Sequence, residues 1–105
     1  MQRLYRVIVS PEAIRNLDAI LVWMKRDSVQ NALTVFDSLW QATQSLQRFP
    51  HRYKIYRQNR KSQLVIRSMP VPPFVIYYRV IERFTTVRVL TVRHGARRQP
   101  RRFRR

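Results

Sequence analysis

Several residue types are missing or scarce in this chain of 105 residues. There is no cysteine, which excludes disulfide bonds, thiolate catalysis and cysteine zinc sites. The single glycine excludes a glycine-rich phosphate-binding loop. The longest apolar run, residues 19–24, is too short to cross a bilayer, and the first residues do not read as a signal peptide. The sequence therefore predicts a cytoplasmic protein that does not associate with membranes.

Acidic residues are also scarce. There are five: four on or beside predicted helices, and Glu82 in a predicted turn. Paired-carboxylate catalysis and a carboxylate-held metal each need several acids close together. His51 and His94 alone cannot complete a zinc site. We therefore expect neither a metal nor a cofactor.

Positive charge is abundant and concentrated in the second half of the chain. The net charge is +17, and nineteen of the 22 basic residues are arginine. Residues 1–48 carry six basic and four acidic residues, whereas residues 49–105 carry sixteen basic residues and only Glu82. So many positive charges repel one another, and they favour a polyanion or an acidic protein as partner.

Two amphipathic helices are predicted in the first half. Ser10 and Pro11 form a helix start, and apolar residues then recur every three or four positions up to Met24. Asp27, with Gln30 three residues later, can cap a second helix that ends before Pro50. Together they form an antiparallel helix hairpin.

The rest of the chain has the patterns of strands. Residues 4–10, 64–69, 74–81 and 87–93 predict four strands, and residues 51–63 predict a loop with a short edge strand as the alternative. This order indicates an α+β fold with both helices packed on a mainly antiparallel four-stranded sheet. Of the adjacent Tyr77 and Tyr78, we expect one side chain in the core and the other in solvent. Residues 1–97 form the single predicted domain, and the basic tail 98–105 is expected to be mobile.

Four segments resemble the ParE/RelE toxin family of toxin–antitoxin modules. They are YRVIVSPEA with LDAI at 5–20, LQRFP at 46–50, FVIYYRV at 74–80 and VRVLTVRHGAR at 87–97. The resemblance implies two helices on an antiparallel sheet. It also implies a small toxin that an acidic antitoxin neutralises in a hetero-oligomer.

Members of this family act on different targets. RelE-like members cleave mRNA on the ribosome with basic residues on the sheet and a late tyrosine, whereas ParE-like members inhibit DNA gyrase. Val75 stands where a RelE-type arginine is expected, and no tyrosine follows His94. The resemblance therefore favours gyrase inhibition. A ribosome-dependent nuclease and, apart from the resemblance, a small nucleic-acid-binding module remain the alternatives.

Three sets of candidate site residues follow. For target binding and toxicity we expect basic residues that cluster near one end of the sheet: Arg67, Arg79, Arg93, His94 and Arg97. The nuclease alternative would use His94, Arg79, Arg67, Lys54 and Lys61. The antitoxin is expected to contact Leu17, Leu21, Trp40 and Arg88.

Overall fold

Two helices and five strands make up the regular structure of the chain. The computed structural model describes residues 3–95 and residue 103. Short 3-10 turns lie at Pro50–Arg52 and Glu82–Phe84. In chain order the elements are β1 (Arg6–Val9), α1 (Pro11–Lys25), α2 (Val29–Ser45), β2 (Ile55–Asn59), β3 (Leu64–Val71), β4 (Phe74–Ile81) and β5 (Thr86–His94).

Serine side chains cap both helices. The Ser10 Oγ accepts a hydrogen bond from the Ala13 N–H at 3.1 Å, which confirms the predicted start of α1. At α2 the cap is Ser28, whose Oγ accepts from the Asn31 N–H at 3.1 Å. The prediction of Asp27 as the cap is therefore wrong by one residue.

The sheet is mixed, with strand order β1-β5-β4-β3-β2. β1 runs parallel to β5, and the other neighbours are antiparallel. This arrangement confirms the α+β class with a helix hairpin on a mainly antiparallel sheet. The predicted count of four strands is wrong, because residues 55–59 form the edge strand β2.

β2 is hard to find in the sequence because its stability comes from pairing rather than from its own apolar pattern. Its residues are mainly polar, and its pairing with β3 is shifted between Ile55 and Arg57. Charged and irregular strands are typical of sheet edges, where they oppose further pairing. The segment therefore reads as a loop until β3 is in place beside it.

The sheet buries apolar side chains on both of its faces. On the helix face, side chains such as Tyr78, Ile76 and Val89 pack against Leu17 and Leu39 of the helices. The open face carries a smaller cluster of Leu64, Ile66, Tyr77 and Leu90, with Tyr56, Val75 and Phe103 packed against it. Tyr77 and Tyr78 are 1% and 0% exposed, so the expectation that one of them faces solvent is wrong.

Helix α1 completes the hydrogen bonding of β5 where β1 ends. β1 pairs with β5 only from Thr86 to Val89. Beyond that point the Ser10 Oγ donates to the Leu90 carbonyl at 3.0 Å. The Asn16 Oδ1 accepts from the Val92 N–H at 2.9 Å and from the Thr91 hydroxyl at 2.7 Å. These side chains fix the helix hairpin against the sheet.

Two polar side chains of the sheet hold the segment that follows α2. The Tyr78 hydroxyl donates to the Pro50 carbonyl. The Arg67 guanidinium donates from Nη1 to the Tyr53 carbonyl at 2.8 Å and to the His51 carbonyl at 3.2 Å. Arg67 pairs with Tyr78 across the strands, so both side chains lie on the helix face.

We expect Arg67→Ala to destabilise the fold. The substitution removes charge-assisted hydrogen bonds to two carbonyls, so the free energy of unfolding should fall by about 2 kcal/mol. Urea denaturation followed by circular dichroism measures this change. Arg15→Ala, at an exposed position of α1, is the matched control and should alter stability by less than about 0.5 kcal/mol. Equal stability of the two variants would contradict the anchoring role of Arg67.

We also expect stability to fall at alkaline pH because of Tyr78. Burial raises the pKa of Tyr78 from the usual 10.0 to about 12, although the positive charges of Arg67 and Arg52 oppose this shift. The folded state therefore holds the phenol proton more tightly, and stability is lost as the pH rises from about 10 towards 12. Tyr78→Phe should lessen this loss in urea titrations, whereas Tyr53→Phe should leave it at the wild-type size. If the free energy of unfolding of Tyr78→Phe falls with pH as steeply as that of the wild type, Tyr78 is not the source of the loss.

Candidate target-binding surface

The predicted basic cluster does not lie at one end of the sheet. Arg79 pairs with Arg88 near the β4–β5 turn, whereas Arg93 pairs with Val75 towards the other end of the same hairpin. Arg79 and Val75 are four positions apart in β4, a distance of about 13 Å. The prediction that Arg79 lies beside Arg93 and His94 is therefore wrong, because it did not take the position of the β4–β5 turn into account.

Arg67 and Arg79 lie on opposite faces of the sheet. Tyr78, which pairs with Arg67, belongs to the core under the helices. Arg79 follows Tyr78 in β4, so its side chain extends from the open face, the side that holds Tyr77. Arg67 therefore anchors the segment after α2, while the Arg79 side chain extends from the open face. Arg97 lies outside the described residues.

The remaining nuclease candidates are far apart. Lys54 and Lys61 are exposed, and Lys61 lies in the β2–β3 turn, where its N–H donates to the Asn59 Oδ1 at 3.0 Å. His94 pairs with Phe74 at the opposite end of the sheet. The eight residues of β3 separate these two ends, about 23 Å. The two ends of this set cannot meet on one substrate bond.

Each histidine has a defined neighbour. The His94 ring packs edge-to-face on Phe74, with ring centres 5.5 Å apart. The His51 Nε2 lies 2.7 Å from the Glu82 carboxylate, to which the Tyr5 hydroxyl also donates at 3.0 Å. Burial, followed by the hydrogen bond to Glu82, raises the pKa of Tyr5. The contacts of Tyr5 and His51 with Glu82 therefore connect the β4–β5 turn to the segments before β1 and after α2.

Three half-buried arginines surround the apolar cluster of the open face, namely Arg79, Arg88 and Arg93. Arg79 and Arg88 are directly opposite each other on neighbouring strands, an arrangement in which like charges repel. No acceptor among the described residues lies within hydrogen-bond distance of the buried Nε atoms of Arg88 and Arg93. The open face thus combines an apolar cluster with a border of positive charge.

Aromatic rings fill the part of the open face next to Val75. The Tyr77 ring lies 4.8 Å from the Tyr56 ring and 5.4 Å from the Phe103 ring. Burial raises the pKa of Tyr77, and Tyr56 adds to the shift, while the charge of Arg93 opposes it. Tyr77 therefore stays a neutral packing residue at ordinary pH. The basic composition of the tail does not predict this packing of Phe103.

A groove between α1 and β5 is the second open surface. It measures about 470 Å³, and its walls include Ile20, Trp23, Phe74, Val92 and His94. Trp23 is 57% exposed, which is unusual for so large an apolar side chain. Trp23 was not among the predicted partner contacts. Its position just outside the apolar stripe of α1 is the sequence signal that could have predicted its exposure.

The predicted antitoxin contacts fall on different surfaces. Leu17 is only 2% exposed and lies in the core, and Trp40 packs against the same core while staying partly accessible. Leu21 is half-buried on α1, whereas Arg88 is on the open face of the sheet. These four residues cannot form one continuous contact patch.

The described residues contain no group of three potential metal ligands. Within the same residues, neither helix is long and apolar enough to cross a membrane.

Solved toxin–antitoxin structures share this fold. A chain of the chromosomal ParDE TA system from P. aeruginosa superposes with a TM-score of 0.65 and 16% identity, covering 88% of this chain and 97% of that chain. For the archaeal RelE–RelB complex from Pyrococcus horikoshii OT3 the TM-score is 0.64 with 11% identity, covering 90% of this chain and 99% of that chain. For the RelBE2 toxin–antitoxin complex from Mycobacterium tuberculosis the TM-score is 0.59 with 22% identity, covering 90% of this chain and 94% of that chain.

Comparison of sequences is more specific. No curated protein sequence matches this chain. A family model, that of the ParE toxin of the type II toxin–antitoxin system parDE, matches residues 7–99 and so spans both helices and nearly all of the sheet. The chain belongs to the ParE toxin family of type II toxin–antitoxin systems.

Proposed function

We propose that this toxin arrests growth by inhibiting DNA gyrase in the cytoplasm and that it has no phosphodiester-cleaving centre of its own. The observation that carries the proposal is the packing of Val75. This residue stands where a RelE-type arginine is expected, and its side chain belongs to the apolar cluster of the open face with Tyr77 and Phe103. Space that a scissile phosphate would need is filled there by apolar side chains.

The placement of proton carriers supports the same conclusion. Cleavage of a phosphodiester needs a base, an acid and charge stabilisation around one bond. Arginines supply only the last of these, because guanidinium does not release its proton at neutral pH. His94 and Lys61 lie at opposite ends of the sheet, and the Tyr78 hydroxyl is buried against the Pro50 carbonyl.

A surface for gyrase is available without any catalytic group. His94 lines the groove that holds Trp23, and Arg93, whose side chain extends from the open face, borders the groove at the edge of β5. Protein interfaces commonly combine an aromatic anchor with arginine. In this proposal Arg93, His94 and Arg97 contact gyrase at this end, and Arg79 adds positive charge on the open face.

The proposed antitoxin is an acidic protein segment that folds on binding. A partner with excess negative charge fits a toxin with a net charge of +17. The helix hairpin offers it the exposed Trp23, and β2 offers it a sheet edge. An extended segment can add to such an edge through main-chain hydrogen bonds.

Gyrase inhibition is expected to depend on Arg93. Purified toxin should block supercoiling by gyrase and accumulate cleaved DNA, and Arg93→Ala should weaken this inhibition about tenfold by removing a charged interface contact. Arg15→Ala, which removes the same charge from α1, should inhibit like the wild type. Primer extension on mRNA after brief induction should show no new cuts. Discrete ribosome-dependent cuts in mRNA would contradict the proposal.

Association with the cognate antitoxin is expected to be fast and sensitive to salt. Electrostatic steering raises association rates and is screened over about 10 Å at 0.1 M ionic strength. The rate constant measured by stopped-flow fluorescence, with Trp23 and Trp40 as the natural fluorophores, should fall about tenfold from low to physiological salt. A rate constant that stays flat over this range would refute the electrostatic account.

A further inference from the structure

We propose that a cleft at the turn end of the open face binds a phosphate group of single-stranded nucleic acid, with an unpaired base against Phe84. The cleft measures about 370 Å³ and is lined by Arg6, Ile8, Ile81, Phe84, Thr86 and Arg88. The inference goes beyond gyrase inhibition, because it concerns a ligand that the toxin binds alone.

Strand pairing builds the positive side of the cleft. Arg88 on β5 lies between Ile8 on β1 and Arg79 on β4, and Arg6 lies beside Thr86 one step nearer the turn. Guanidinium groups from three neighbouring strands thus gather on one face. A phosphate group can accept two parallel hydrogen bonds from one guanidinium, and both Arg6 and Arg88 line the cleft.

The surroundings of Arg88 leave a hydrogen-bond donor for this anion. Its Nε is buried, and no acceptor in the described part of the chain lies within hydrogen-bond distance. A buried donor without an acceptor is unfavourable, and a phosphate oxygen that reaches Arg88 from the cleft would offset this cost. No carboxylate of the described residues lines the cleft, because Glu82 is engaged with Tyr5 and His51.

Phe84 gives the cleft an aromatic platform. Its side chain is 67% exposed, and it ends the 3-10 turn just before Thr85, which takes the left-handed conformation with φ 47°. The Arg83 guanidinium lies over the ring, 5.2 Å from its centre, which leaves the opposite face of this exposed ring for a base. Exposed rings beside arginines are the usual platform for unpaired bases.

Base stacking also favours nucleic acid over an acidic peptide. Carboxylate side chains would satisfy the arginines and leave the Phe84 ring in water. A nucleotide instead provides both an anion and a flat ring at neighbouring positions. Because bases in a duplex are already stacked on one another, the platform favours a single strand.

The test measures binding of a fluorescein-labelled oligothymidylate of about ten nucleotides to the full-length toxin, without gyrase or ribosomes. Fluorescence anisotropy gives the Kd between about 50 and 200 mM salt. Arg6→Ala and Arg88→Ala should each weaken binding about tenfold and reduce the salt slope by about 0.7 for the lost phosphate contact. Phe84→Ala should also weaken binding about tenfold, with the slope unchanged.

Matched controls separate the cleft from general attraction to a basic protein. Arg15→Ala removes one charge from α1, and Phe49→Ala removes a ring that is 66% exposed away from the cleft. Both should bind the oligonucleotide like the wild type. Arg6 is exposed, so Arg6→Ala tests the site even if Arg88→Ala lowers stability, which circular dichroism monitors.

Two results would overturn the proposal. If Arg15→Ala weakens binding as much as Arg6→Ala, the attraction is a general charge effect. If a labelled peptide of about ten glutamates competes fully and Phe84→Ala has no effect on the oligonucleotide, the cleft is a carboxylate site instead. Neither result affects gyrase inhibition, which is assayed through Arg93.

Discussion

The arrangement of this toxin depends on how β5 obtains its hydrogen bonds. β4 pairs with one side of the strand, whereas the other side is shared between β1, as far as Val89, and the side chains of Ser10 and Asn16. An unpaired backbone group at this depth would cost about twice the net contribution of an ordinary hydrogen bond. α1 is therefore fixed over the end of β5, and the groove beside Trp23 exists because α1 takes the place of a longer β1.

A second constraint is that the sheet has two buried faces in a small protein. The helix hairpin covers one face, and no helix within residues 3–95 covers the other, where Tyr56, Tyr77 and Phe103 shield the apolar residues. Arginine suits the border of such a cluster, since its aliphatic stem packs on apolar side chains while the guanidinium reaches solvent. The arginines at the border of this cluster thus both cover apolar surface and give the open face its strong positive charge.

The sequence allowed a good prediction of the elements and a poorer one of the site. Helical periodicity and the Ser10–Pro11 start were sufficient for α1, and β-branched runs for β3, β4 and β5. Arg67 and Arg79 could not be assigned to opposite faces, because an arginine that anchors backbone carbonyls and one that extends from the open face have the same local pattern. Burial of Tyr77 depends on Phe103, which is distant in sequence. Composition alone carries no signal for such contacts.

The pairing of β1 with β5 also sets the order in which the molecule can be assembled. Ser10 and Leu90, which bond to each other, are 80 residues apart in the chain. During synthesis β1 therefore emerges long before β5, its pairing partner. The helix hairpin is also synthesised before the sheet on which it packs. Contacts of such long sequence separation slow folding, because loop closure precedes any gain from pairing. The fold is consequently completed only after β5, one of the last elements of the chain, has been synthesised.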